Sequence, residues 1–294
     1  SFDSDGFTTQ GGSSNDNFTI SGNDYVAWNW LAGTAPTADN SAGAGATPTA
    51  GSVKIDGSNL GSALAGTIAA TRLSANTTSG FSIVRYTGND TSGATLAHGL
   101  SSAPELIIVK GANYGGTNWP AGATPMSSGW TKYMQLDAND AESTSTARWN
   151  DTAPTPSVFS IGDDNQVNNS SYNYIAYCFH SVEGYSKVGS YEGNGNADGS
   201  FIYTGFRPSW LLVKRIDGAE SWAIEDNKRS TYNVIDNVLF PDTNAVEQEN
   251  SINNVDFVSN GFKVRNTDSR WNNSSGEYLY LAYAKSPFKY ANAR

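Results

Sequence analysis

Short runs of aromatic and β-branched residues recur along this 294-residue chain, separated by turns rich in Gly, Asn, Asp and Ser. That pattern predicts strands joined by tight turns, the signature of sandwiches and barrels, and no segment carries the apolar spacing of an amphipathic helix. Leu106-Ile107-Ile108-Val109 and Leu211-Leu212-Val213 are continuous rather than alternating, which predicts strands buried on both faces. Tyr172, Tyr174 and Tyr177, and again Tyr278, Tyr280 and Tyr283, fit strands packed on one face with their hydroxyls reaching an edge.

The strands repeat. Gly80-Phe81-Ser82-Ile83-Val84 followed by Tyr86-Thr87-Gly88-Asn89 returns as Gly184-Tyr185-Ser186-Lys187-Val188 followed by Tyr191-Glu192-Gly193-Asn194. Pro104-Glu105-Leu106-Ile107-Ile108-Val109-Lys110 returns 104 residues later as Pro208-Ser209-Trp210-Leu211-Leu212-Val213-Lys214. Tyr174-Ile175-Ala176-Tyr177 and Tyr280-Leu281-Ala282-Tyr283 close the two copies, and Tyr25-Val26-Ala27-Trp28 reads as a third closing strand with no opening half. Phe2-Asp3-Ser4-Asp5-Gly6-Phe7-Thr8 parallels Phe257-Val258-Ser259-Asn260-Gly261-Phe262-Lys263 as a hairpin before it.

The expected fold is therefore all-β, with two tandem antiparallel β-sandwich-like units: repeat A over residues 77–182 and repeat B over residues 183–294. Residues 1–33 form a half-repeat of closing strands, and residues 34–76 an Ala/Gly/Thr-rich linker, extended along a surface or disordered. Repeats A and B join without a linker, so they are expected to pack together. Trp28 and Trp210 read as core, and the half-repeat as an element completed by a neighbouring subunit through Tyr25, Trp28 and Trp30, or by residues 34–76 folding back. The start at Ser1, in mid-repeat, is that of a processed product or a fragment.

A net charge of −10 and a pI near 4.6 argue against nucleic acid as a partner, because phosphate binding needs clustered Lys and Arg. No apolar stretch is long enough to span a bilayer as a helix, and none reads as a signal peptide. The single cysteine, Cys178, reads as a buried inert thiol.

Candidate chemistry is sparse. His98 and His180 are the only imidazoles, and no nucleophile-elbow pattern accompanies them. Asp163-Asp164, Glu225-Asp226 and Glu247 with Glu249 have the residue type for glycoside cleavage, but all fall in polar, turn-like stretches where solvated charges are expected. Asp163-Asp164-Asn165 and Asp3-Ser4-Asp5 have oxygen ligands for calcium without the spacing of a helix-loop-helix site. No catalytic residue, metal site or cofactor is expected. Trp119, Trp130 and Trp149 in the loop-rich part of repeat A, and Trp222 and Trp271 in that of repeat B, are the candidates for stacking on a glycan or for subunit contact.

The repeated segments, with His98-Gly99-Leu100, Trp149-Asn150-Asp151-Thr152-Ala153-Pro154 and the ending Ser286-Pro287-Phe288-Lys289-Tyr290, resemble an uncharacterised tandem-repeat domain of bacteriophage virion proteins, common in phages of marine bacteria. The resemblance covers almost the whole chain and carries no catalytic residues. It implies a non-enzymatic virion structural protein, on the particle surface, in a tail, fibre or other appendage. Its partners would be further copies of itself or other virion proteins. The alternative is a receptor-recognition module of the same appendage that binds a host surface glycan.

Overall fold

The computed structural model describes residues 7–9, 22–249 and 251–288. Residues 53–76 contribute β1 (Val53–Ile55), β2 (Ser58–Asn59) and β3 (Arg72–Asn76). Repeat A adds β4 (Phe81–Thr87), β5 (Ala94–Ala97), β6 (Leu106–Gly111), β7 (Pro120–Ala123), β8 (Lys132–Gln135), β9 (Ser143–Thr144), β10 (Val158–Ile161) and β11 (Asn173–Phe179). Repeat B holds β12 (Ser186–Glu192), β13 (Phe201–Tyr203), β14 (Pro208–Arg215), β15 (Ala223–Asp226), β16 (Asn237–Leu239), β17 (Gln248–Glu249), β18 (Val255–Val258), β19 (Gly261–Val264) and β20 (Glu277–Ala284). The α-helices are single turns: α1 (Thr146–Trp149), α2 (Asn165–Asn168) and α3 (Ser269–Asn272).

The fold is all-β and sandwich-like. Repeat A is built on a sheet in the order β2-β1-β3-β4-β11-β6-β7-β8-β9, and repeat B on one in the order β12-β20-β14-β15-β16-β17. In both, the closing strand lies antiparallel between the opening and central strands: β11 between β4 and β6, β20 between β12 and β14. A small sheet faces each large one, β5 with β10 in repeat A and β13-β19-β18 in repeat B. Val84, Ile107, Val109 and Ala176 of the large sheet share one core with Leu96, Phe159 and Ile161 of the small one. Leu211, Val213 and Ala282 meet Ile202, Phe257 and Phe262 in the same way. Leu106 to Val109 and Trp210 to Lys214 are buried without a break, as strands covered on both faces require.

Two expectations are corrected. Residues 34–76 are not a linker laid over a surface: β3 pairs with β4, and Val53, Leu64, Ile68, Leu73 and Ala75 enter the core of repeat A. Their few charges and regular apolar residues let them fill a sheet edge that repeat A leaves open. In residues 22–31, described by themselves, Tyr25-Val26-Ala27-Trp28 forms no strand; Tyr25, Val26 and Leu31 are exposed, and Trp28 and Trp30 are half-buried rather than core. The hairpin expected at Phe2–Thr8 lies, apart from Phe7 and Thr8, outside the described residues.

The repeats are tied together. Trp222 Nε1 of repeat B donates to Gln135 O of repeat A at 2.8 Å, and Glu142 N of repeat A donates to Ile216 O at 2.8 Å.

Candidate functional site

The polar residues shared by the two repeats converge on one constellation in each. Asp164 caps α2 by accepting from Gln166 N at 2.7 Å, and Asp268 caps α3 by accepting from Arg270 N at 2.9 Å. Four residues after each cap stands a fully buried asparagine. Asn168 Nδ2 donates to Thr91 O at 2.9 Å and Gly162 O at 2.7 Å, and its Oδ1 accepts from Asn89 N at 2.8 Å. Asn272 Nδ2 donates to Asn196 O at 2.6 Å and Asn266 O at 2.8 Å, and its Oδ1 accepts from Asn194 N at 2.8 Å.

Paired tyrosines hold the other side. Tyr86 stacks on Tyr174 at 5.3 Å and donates to Val167 O at 2.8 Å; Tyr191 stacks on Tyr278 at 4.8 Å and donates to Trp271 O at 2.9 Å. Tyr174 donates to Asn165 O and accepts from Asn169 N, while Tyr278 donates to Ser269 O and accepts from Asn273 N. Burial pushes the Tyr86 and Tyr191 phenols well above their usual range and Tyr278 up to about 12, so all remain donors. The glycine of each Tyr-x-Gly-Asn turn is sterically required: a Cβ on Gly88 would lie 2.4 Å from Asn169 O, and one on Gly193 2.3 Å from Asn273 O. This constellation is a clamp that joins opening strand, helix and closing strand. Its sequence signal is Asp-x-x-x-Asn-Asn-Ser-Ser, at Asp164 to Ser171 and at Asp268 to Ser275, a polar repeat that the strand pattern does not reveal.

The tryptophans expected to make glycan or subunit contact belong to the interior. Trp149, Trp222 and Trp271 are completely buried, and Trp130 nearly so, edge-on to Trp149 at 5.5 Å. Trp119 is half-buried, 6.3 Å from the Tyr177 ring and beneath Lys110 Nζ at 5.4 Å. Loops that carry such rings fold inward because each ring hides more apolar area than any turn residue. Trp149 and Trp271 do not correspond by position. Asn253 lies 104 residues after Trp149, and its Oδ1 accepts from Trp271 Nε1 at 3.3 Å; Val167 lies 104 residues before Trp271. Each repeat thus carries a fully buried indole on a single-turn helix, Trp149 on α1 and Trp271 on α3, at positions that do not correspond.

The titratable groups are held in structural states. His98 is fully buried, its Nε2 donating to Thr155 O at 3.0 Å and its Nδ1 accepting from Leu100 N at 3.1 Å; desolvation lowers it to about 4, so it is neutral. Thr204 makes the corresponding turn in repeat B, bonding Phe206. Burial pushes the Cys178 thiol up to about 12. Glu225 corrects the expectation of a solvated pair: it lies in β15, completely buried, and burial holds its carboxyl well above the usual range. Asp226 is buried against Arg229 Nε at 2.7 Å, and Glu247 meets Arg229 at 2.6 Å. Among the described residues no three His, Cys, Asp or Glu side chains are grouped to hold a metal ion.

The sequence profile of the family described as "domain of unknown function (DUF7483)" matches residues 54–287. The chain belongs to that family. The DUF7483 match begins in β1 and ends just beyond β20, so it takes in both clamps and the strands that cover repeat A. No curated protein and no solved structure matches the chain.

Proposed function

We propose that this chain is a non-enzymatic structural component of a bacteriophage virion, assembling with copies of itself or with other virion proteins in a tail, fibre or surface appendage. The observation that carries the reading is the duplicated clamp, which spends its Asn, Asp, Tyr and Gly residues on internal hydrogen bonds in both repeats. A scaffold built twice from inward-facing polar groups suits repetitive assembly better than turnover. The resemblance of its repeated segments to phage virion proteins supports the same role. Four of the five loop tryptophans are buried in the chain's own core and Trp119 is half-buried beside Tyr177, which favours assembly over stacking on a glycan.

Antibodies against the chain, applied to purified particles of the phage that encodes it, should label an appendage or the particle periphery. Absence of the chain from purified particles overturns the reading. So does turnover of a polysaccharide or ester substrate that is lost on substituting Asp163, Asp164 or Glu247.

A further inference from the structure

The outer face of the large sheet in repeat A, turned away from the core it shares with the small sheet, carries a row of cations. Register places Arg72 of β3 opposite Arg85 of β4, Arg85 opposite Ile175 of β11, and Ile175 opposite Lys110 of β6. Residues in register share a face, so the row crosses four strands over about 14 Å, with Arg85 and Lys110 about 10 Å apart. Like charges directly opposite each other destabilise a sheet. Arg72 is relieved by an ion pair with Asp39, while Lys110 Nζ donates to Thr117 O and lies 5.4 Å from the centre of the Trp119 ring. Arg85, half-buried, has no ion pair and no side-chain hydrogen bond among the described residues.

Repeat B does not present this row. The equivalent positions, set by the clamp tyrosines Tyr191 and Tyr278, are Ser190, Leu279 and Lys214, and both Leu279 and Lys214 are buried. Lys214 Nζ is turned onto two backbone carbonyls, Arg215 O at 2.5 Å and Gly218 O at 3.3 Å. The next row along the strands repeats the contrast: Val188 and Leu281 are buried where Ile83 and Tyr177 of repeat A are half-exposed. The repeat fold therefore does not require an arginine at position 85, and only repeat A leaves the row at its surface.

We propose that this face of repeat A binds an acidic oligosaccharide, its carboxylates on Arg85 and the neighbouring cations and its rings over the apolar strip beside them. The proposal is independent of the virion role and uses none of the four buried tryptophans; the charge of the row selects the ligand. Arg85 offers a planar fork that a carboxylate fills with two parallel hydrogen bonds. On one side of the row, Ile83 and Tyr177 offer half-exposed apolar surface to the C–H face of a sugar ring. On the other side, Thr87 and Asn173, opposite each other, offer a hydroxyl and an amide to sugar hydroxyls. Row and strip measure about 14 by 7 Å, roughly 100 Å², against about 800 Å² for each partner of a stable protein interface. That size fits a short oligosaccharide rather than a folded partner. A chain of net charge −10 also repels the dense phosphates of nucleic acid.

The test titrates the full chain at low salt with trigalacturonate, the neutral sugar maltotriose, tetraglutamate and a thymidine oligonucleotide. Trigalacturonate should bind and shift the amide resonances of residues 83–87 and 173–177, and each other probe should bind about tenfold or more weakly. Arg85→Gln should weaken trigalacturonate about tenfold, the size of a hydrogen bond to a charged group, and Arg85→Glu should weaken it further. Lys187→Gln, in repeat B, should leave the affinity unchanged. Arg85→Gln should not lower the melting temperature, because it removes a like charge opposite Arg72. Failure of trigalacturonate to bind, binding of any other probe to within about tenfold of it, or shifts confined to other residues overturns the proposal. So does an affinity untouched by Arg85→Gln, or a lowered melting temperature, which would make Arg85 a structural residue. Antibody labelling of particles plays no part in this test, so either reading can fail alone.

Discussion

Asn168 and Asn272, 104 residues apart, hold the same position in their repeats: each is fully buried, each donates to two backbone carbonyls, and each accepts the amide of an Asn in a Tyr-x-Gly-Asn turn. A side chain that satisfies three backbone groups in a dry interior cannot be shortened without orphaning them. Asn168→Ala or Asn272→Ala should therefore cost about 2–4 kcal/mol, since each unmet buried group carries about 1–3 kcal/mol. Chemical denaturation measures this. A loss below about 0.5 kcal/mol would mean that water replaces the amide.

Gly88 and Gly193 are closed to side chains by a backbone carbonyl, not by a movable side-chain tip. Gly88→Ala and Gly193→Ala should each destabilise by about 1–3 kcal/mol, the usual penalty for overpacking. Gly115, where a Cβ would meet no atom within 4 Å, supplies the control: Gly115→Ala should leave the denaturation midpoint unchanged.

Glu225 lies between Leu211 and Val238 in the sheet, and neither carboxyl oxygen meets a hydrogen-bond donor of the protein. Desolvation raises it; Arg229 opposes the shift, while Asp236 and Asp226 add to it. Near its ordinary value, about 4.3, and below, the group is protonated whether the chain is folded or not. As pH rises above that value the unfolded chain ionises first, so stability falls until the folded group ionises too. Glu225→Gln should raise the melting temperature at about pH 8 and leave it unchanged at about pH 4. A melting temperature lowered at both would show the carboxyl to be structurally required.

His98 has the opposite sense of titration. Its folded value is lowered to about 4, so its contribution is complete above the ordinary histidine value, about 6.5, and is lost as pH falls towards 4. His98→Thr, the residue of repeat B at that turn, keeps the bond to the residue two positions on and removes the titration. Its denaturation midpoint should vary less between about pH 6.5 and pH 4 than that of the parent chain. An unchanged acid limb would place the responsible group elsewhere.

Much of the architecture was legible in order and spacing. Strand period, turn residues and the 104-residue offset are local or nearly local properties, and they determined the all-β class, the central strands and the closing strands. The buried status of Leu106 to Val109 followed from an unbroken apolar run. Only the tertiary structure decided the rest. Residues 34–76 look like a tether until an open edge on β4 gives Leu73 and Ala75 a partner, and Tyr25 to Trp28 look like a strand but form no ladder. Loop tryptophans look exposed until the sandwich supplies an interior large enough for an indole. Glu225 and Asp226 read as part of a polar, turn-like stretch, yet both lie in β15 and are buried, because that strand is covered on both faces. In each case the deciding quantity is what lies across a sheet or beyond an edge, and that depends on residues far away in the chain, which no local pattern encodes.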